Sequence, residues 1–147
     1  MEDRITLLHR VLLWVQMVGS LVFGLAYFFI PLRFTDFLGT TLTDPGAVRS
    51  IGGFMIGAAV GAGFCLLVNK WSETRIVTYY LITWNLLNGV GLAYNIWQEN
   101  GSMSLLVNTI VCGLMAIGYT VVLWQHHVLK WPIHFTFGQT HKPVHPV

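Results

Sequence analysis

Four apolar segments, at residues 8–30, 48–68, 76–97 and 104–124, fill most of the chain and leave little length for a water-soluble domain. Segments of about 20 apolar residues match a hydrocarbon core about 30 Å thick at the helical rise. In that solvent each backbone amide needs a partner inside the protein, which selects helices. A β-barrel would require shorter segments of strict alternation, and the sequence has none. The expected fold is therefore all-α, an integral membrane four-helix bundle over residues 1–125 with a tail over 126–147. Charged residues make up 10% of the chain, whereas a soluble domain carries about a quarter.

Arg4 and Arg10 ahead of an apolar run, with Gly24 and Ala26 further on, have the outline of a secretory signal. The run continues through Tyr27, Phe28, Phe29 and Ile30, so it reads as a retained first span. With the spans alternating in direction, Arg4, Arg10, Lys70, Arg75, Lys130 and Lys142 fall on one side of the membrane, against Arg33 and Arg49 on the other. Lys and Arg accumulate on the cytoplasmic side, which predicts cytoplasmic N and C termini in an inner (plasma) membrane. The net charge is +2. No Lys/Arg cluster offers a nucleic-acid surface.

Turn chemistry supports the span limits. Asp44-Pro45 reads as an N-cap followed by proline at the first helical position. Ser72 and Glu73 are expected at the start of the third helix, Gly101 after its end, and Ser102 or Ser104 as a cap for the fourth. The short connections at 69–75 and 98–103 make helices two, three and four successive antiparallel neighbours. The connection at 31–44 is longer and holds Leu32, Phe34, Phe37, Leu38 and Leu42. It reads as a short amphipathic element in the outer interface, closing that end of the bundle. Arg49 reads as a snorkelling interface residue, with a pair to Asp36 or Asp44 as the alternative.

Small and polar residues inside the spans mark where helices meet. The second span repeats Gly53-xxx-Gly57-xxx-Gly61. This stripe is expected to pack against a neighbouring helix of the same chain, with packing between chains as the alternative. In the third span Thr78, Asn85, Asn88 and Asn95 share an arc of about 100° with Leu81 and Leu92. Amides on one face should point into the protein, because lipid would leave them unpaired. Depth pairs Gln16 with Asn85 and Asn108 with Asn95. These five residues are expected to glue helices together, or else to receive the polar head of a quinone, pigment or lipid.

Several chemistries are missing. No Asp, Glu, Lys or Arg lies deep in a span, which disfavours proton- or ion-coupled transport. No histidine lies mid-span to hold a haem or chlorophyll at the membrane centre. His9, His126 and His127 fall near one interface and are the only candidate haem or metal ligands there, although their spacing does not match a metal site. No GxSxG, HExxH, CxxC or phosphate-loop motif occurs, and no acid pair suggests catalysis. Cys65 and Cys112 differ in depth by about 13 Å at helical rise, too far for a disulfide, and read as small packing residues. The tail holds His134, His141, His145, Trp131, Phe135 and Phe137 beside Pro132, Pro143 and Pro146. It is expected to lie on headgroups or across a partner subunit.

Phe28-Phe29-Ile30-Pro31, Phe34, Leu38-Gly39, Asp44-Pro45 and the Arg49-x-x-Gly52 that opens a Gly/Ala-rich helix resemble the DoxX-like group of small four-helix bacterial membrane proteins. The resemblance covers about residues 21–67. It implies a bacterial four-helix membrane protein and carries over no active site.

Function is then expected to be non-catalytic. The first reading is an accessory or structural subunit of a larger respiratory or photosynthetic membrane complex, with other membrane subunits and lipid as partners. The alternative is a small membrane protein that binds a lipophilic ligand (quinone, lipid or pigment) inside its bundle. No cofactor is predicted beyond such a ligand.

Overall fold

The computed structural model describes residues 4–39, 44–99 and 103–129, without the side chains of 99 and 127–129. Its helices are α1 (Leu7–Phe29), α2 (Pro31–Leu38), α3 (Pro45–Val68), α4 (Trp71–Glu99) and α5 (Met103–Leu129). α1, α3, α4 and α5 are long and apolar enough to cross a membrane. Large apolar side chains such as Phe29, Phe54, Leu67, Trp97 and Leu114 face outward along them, which suits lipid and would be an aggregation surface in water. These features mark a membrane protein.

One predicted helix boundary is met as expected, and others shift. Asp44 caps α3 by accepting from the Gly46 N–H at 2.8 Å, with Pro45 at the first helical position. α1 ends at Ile30, and Pro31 starts α2 at once. Gly39 closes α2 with φ 66°, the left-handed geometry glycine adopts without strain. α4 begins earlier than expected, at Trp71, so Ser72 lies inside it while Glu73 remains in its first turn. The reason is that Trp71–Arg75 is polar enough to escape an apolar window yet forms helical hydrogen bonds freely. The α3–α4 connection shrinks to Asn69 and Lys70. Asn69 adopts φ 55° and donates its N–H to the Cys65 carbonyl at 3.0 Å. Ser104 does not cap α5; its hydroxyl donates to the Leu38 carbonyl and so ties α5 to α2. Gly101, Ser102 and the tail from residue 130 lie outside the described residues. α5 continues through Leu129, which places His126 in the helix instead of the tail.

The four long helices alternate in direction. His9 pairs with Thr78 and Gln16 with Asn85, each 69 residues apart, so α1 and α4 run parallel. Arg4 forms a backbone bridge with Lys70, and the Arg10 guanidinium donates to Asn69 Oδ1 at 2.8 Å. The chain start and the α3–α4 turn therefore share one end. The main partnerships are α1 with α3 and α4 with α5, while α3 and α4 touch over a shorter length. At the end holding the chain start, Ile5, Leu13, Ala58, Ala62, Cys65, Leu81, Met115 and Tyr119 form a continuous core between the two pairs. α2 caps the opposite end by its Pro31, Thr35 and Leu38 face.

The α1–α3 seam is not the expected glycine stripe. Gly53 and Gly57 face open space, and Gly61 is an ordinary contact distance from Val77 of α4. The close approach is between Gly24 and Gly52, where a Cβ on Gly52 would stand 2.8 Å from the Gly24 carbonyl oxygen and the Phe28 nitrogen. Val48, Gly52, Ala59 and Ala62 are buried along this face. It lies roughly 180° round the helix from the Gly53, Gly57 and Gly61 stripe, on the opposite side. Arg49 is exposed and pairs with neither Asp36 nor Asp44, in keeping with an interfacial residue.

Candidate functional site

Away from the closed end, the two helix pairs part to leave a cavity of about 590 Å³. α1 contributes Gln16, Ser20, Phe23 and Tyr27, and α3 contributes Ile51 and Met55. α4 adds Trp84, Asn85, Asn88, Leu92, Tyr94 and Asn95, and α5 adds Leu105, Asn108, Cys112 and Met115. Among these described residues no lining side chain carries a formal charge. A volume between roughly 300 and 1,000 Å³ with a few convergent polar groups is typical of ligand pockets.

The amide stripe of α4 grades from buried to open along this cavity. Asn85 and Gln16 are 4% and 7% exposed, Asn88 is half-buried and Asn95 is exposed. At the deep end Asn85 Nδ2 donates to Gln16 Oε1 and to the Leu81 carbonyl, both at 2.8 Å, and Gln16 Nε2 donates to Ser20 Oγ at 2.7 Å. The chain of bonds uses both Asn85 donors and leaves its Oδ1 without a partner among the described residues, while Ser20 retains its hydroxyl proton for another acceptor. Asn88 Nδ2 donates to the Trp84 carbonyl at 2.9 Å, which leaves its second N–H and its Oδ1. A carbonyl or hydroxyl entering the cavity thus meets both acceptors and donors.

The expected pairing of Gln16 with Asn85 is present. Asn95 and Asn108 line the same cavity without bonding each other, and Asn108 Oδ1 instead faces Cys112 Sγ at 3.8 Å within α5. Several lining groups escaped sequence reading, among them Ser20, Phe23, Tyr27, Trp84 and Met115. The Gln16-xxx-Ser20 spacing was the available signal for the first. Phe34 of α2 packs edge-on against Phe23 and Tyr27, with ring centroids 5.5 and 4.9 Å apart. α2 therefore braces one cavity wall.

His9 and His126 do meet, at the closed end and around Trp71. His126 stacks on the Trp71 ring at 3.9 Å and 2°, and His9 stands edge-on to it at 5.7 Å. His9 Nε2 lies 3.1 Å from Thr78 Oγ1. The His127 side chain lies outside the described residues, and no group of three metal-binding side chains occurs among those described. The cluster reads as a polar–aromatic plug. The fully buried Tyr119 has no partner for its hydroxyl among the described residues. An unpaired buried hydroxyl costs about 1–3 kcal/mol, so Tyr119→Phe is expected to leave thermal stability unchanged or raise it. A marked fall in melting temperature would show that the hydroxyl is bonded.

No protein-family model matches the chain, and no curated protein or solved structure matches it. The functional reading therefore rests on this geometry.

Proposed function

We propose that the chain is a small multi-pass protein of the inner (plasma) membrane, a four-helix bundle with both termini cytoplasmic, that holds a neutral lipophilic molecule by its polar head. One observation carries this reading: an uncharged interhelical cavity of about 590 Å³ whose deep end is a buried amide–hydroxyl chain, Asn85 to Gln16 to Ser20. The uncharged lining favours a quinone, a hydroxylated lipid or a pigment over an ionised molecule, because a buried charge without a partner is strongly disfavoured. The aromatic and methionine walls suit a ring or chain above the head. The resemblance of residues 21–67 to DoxX-like proteins adds a bacterial origin.

An accessory-subunit role is the second reading, supported by the exposed Gly53 and Gly57 face of α3, which meets nothing among the described residues. The two are compatible, since a ligand can sit inside a subunit whose outer face packs elsewhere.

The test is the melting temperature of the purified protein in mild detergent, titrated with a long-chain quinone, a diacylglycerol and an ionised fatty acid. A ligand at 100 times its Kd stabilises by about 2.7 kcal/mol. A saturable upward shift is expected with a neutral ligand and none with the ionised one. A flat response to both neutral ligands, or a preference for the charged one, contradicts the reading.

A further inference from the structure

A second site lies outside the helical core, independent of the cavity and resting only on the chain's spanning a membrane. Between α1 and α3, at the end where the chain start meets the α3–α4 turn, an outward-facing groove of about 510 Å³ runs down the surface. Its walls and floor are Trp14, Met17, Gly63, Leu66 and Leu67, with Arg10 and Asn69 at its rim. Gly63 keeps the floor low, since a Cβ there would stand 3.2 Å from Met17 Sδ. Trp14 and Leu67 are 55% and 86% exposed, so the walls belong to the lipid-facing surface.

We infer that this groove holds an anionic phospholipid, its phosphate on Arg10 and one acyl chain along Trp14 and Met17. Charge complementarity selects this occupant. Arg4, Arg10, Lys70 and Arg75 gather at this end, and the described acid among them, Glu73, is engaged by Lys70 at 3.3 Å. Among the described residues the Arg10 guanidinium has a neutral partner only, Asn69 Oδ1 at 2.8 Å. That bond orients the group and leaves the rest of its donor fork, whose planar geometry matches phosphate oxygens. The surrounding cations disfavour the ammonium of a zwitterionic headgroup. Trp14 stands one turn inward from Arg10, where an indole sits between headgroup and acyl region. From Arg10 to Met17 the helix descends about 10 Å, along which an acyl chain covers the exposed groove.

The experiment reconstitutes the full chain in nanodiscs of equimolar phosphatidylglycerol and phosphatidylcholine, releases it gently, and identifies retained lipid by native mass spectrometry. The wild type is expected to retain phosphatidylglycerol enriched at least several-fold over phosphatidylcholine. Arg10→Gln should bring the ratio to that of the bilayer. Arg10→Lys, which keeps the charge but loses the fork, should fall between. Gly63→Leu should remove the lipid by filling the groove with Arg10 intact, and Arg33→Gln, at the opposite end, should change nothing. Arg10 is exposed, so its variants leave the core untouched and report even where Gly63→Leu fails to fold. No enrichment in the wild type, or enrichment that survives Arg10→Gln, overturns the inference.

Discussion

Gly52→Ala should lower the stability of the protein by about 1–3 kcal/mol, the usual cost of forcing extra volume into a packed site. The added Cβ would stand 2.8 Å from two backbone atoms of α1 and 3.1 Å from the Tyr27 Cβ. Backbone cannot rotate aside as a side-chain end can, so the helices must separate. The same contact fixes the wall that carries Ser20, Phe23 and Tyr27 beside Ile51 and Met55. Ligand response should therefore fall together with melting temperature. Gly53→Ala and Gly57→Ala supply the contrast: neither Cβ meets anything, and replacing glycine within a helix is expected to change stability by less than about 1 kcal/mol, in the favourable direction. Thermal unfolding of the three variants in one detergent checks the order. A larger loss at Gly53 or Gly57 would put the seam on the other face. A change in oligomer size there, with unfolding unaffected, would support packing between chains.

Asn85→Leu should cut ligand stabilisation by about half or more at a ligand level about 100 times the wild-type Kd, while the fold survives. Hydrogen bonds between membrane helices contribute on average about 0.6 kcal/mol and rarely more than about 1.7, so losing the bond to Gln16 is a modest structural insult. Binding is affected more, because the variant removes the deep acceptor and leaves Gln16 Oε1 unpaired in an apolar setting. Rejection of a polar head by an unpaired site costs at least 1.4 kcal/mol on this account, or about tenfold in Kd. Gln16→Leu should act in the same way. The double variant should lose little more than either single one, since the residues work as one chain of bonds. Asn95→Leu, at the exposed mouth, should have the smallest effect. Ligand titrations followed by thermal shift separate these outcomes. Equal effects at Asn85 and Asn95 would argue that the amides serve packing alone.

Much of this arrangement was legible in the residues. Span length set the helices, and Asp44-Pro45 set one boundary. The apolar pattern of 31–44 announced α2, and matching depths brought Gln16 to Asn85. Three features were hidden for physical reasons. Both sides of α3 carry small residues, so spacing could not tell which of two opposite faces makes the seam; only the facing Gly24 decides it. Trp71 sits in a polar stretch that looks like a connection, which concealed the aromatic plug joining His9 to His126. The cavity follows from α1 closing on α3 and α4 on α5 more completely than the pairs close on each other, a property of the assembled helices that no single segment encodes. The aromatic, histidine-rich tail was equally visible in sequence, but it lies outside the described residues and carries no weight in the functional reading.

Retention of a neutral lipophile by the proposed Asn85–Gln16–Ser20 site is measured most directly by what leaves the membrane with the protein. Wild type and Asn85→Leu, purified side by side in mild detergent, would be extracted with organic solvent and the extracts compared by mass spectrometry against the bulk membrane lipids. The account predicts an uncharged molecule bearing a carbonyl or hydroxyl head, near one per chain in the wild type and depleted at least tenfold in the variant. Extracts identical to each other and to the bulk membrane would contradict it.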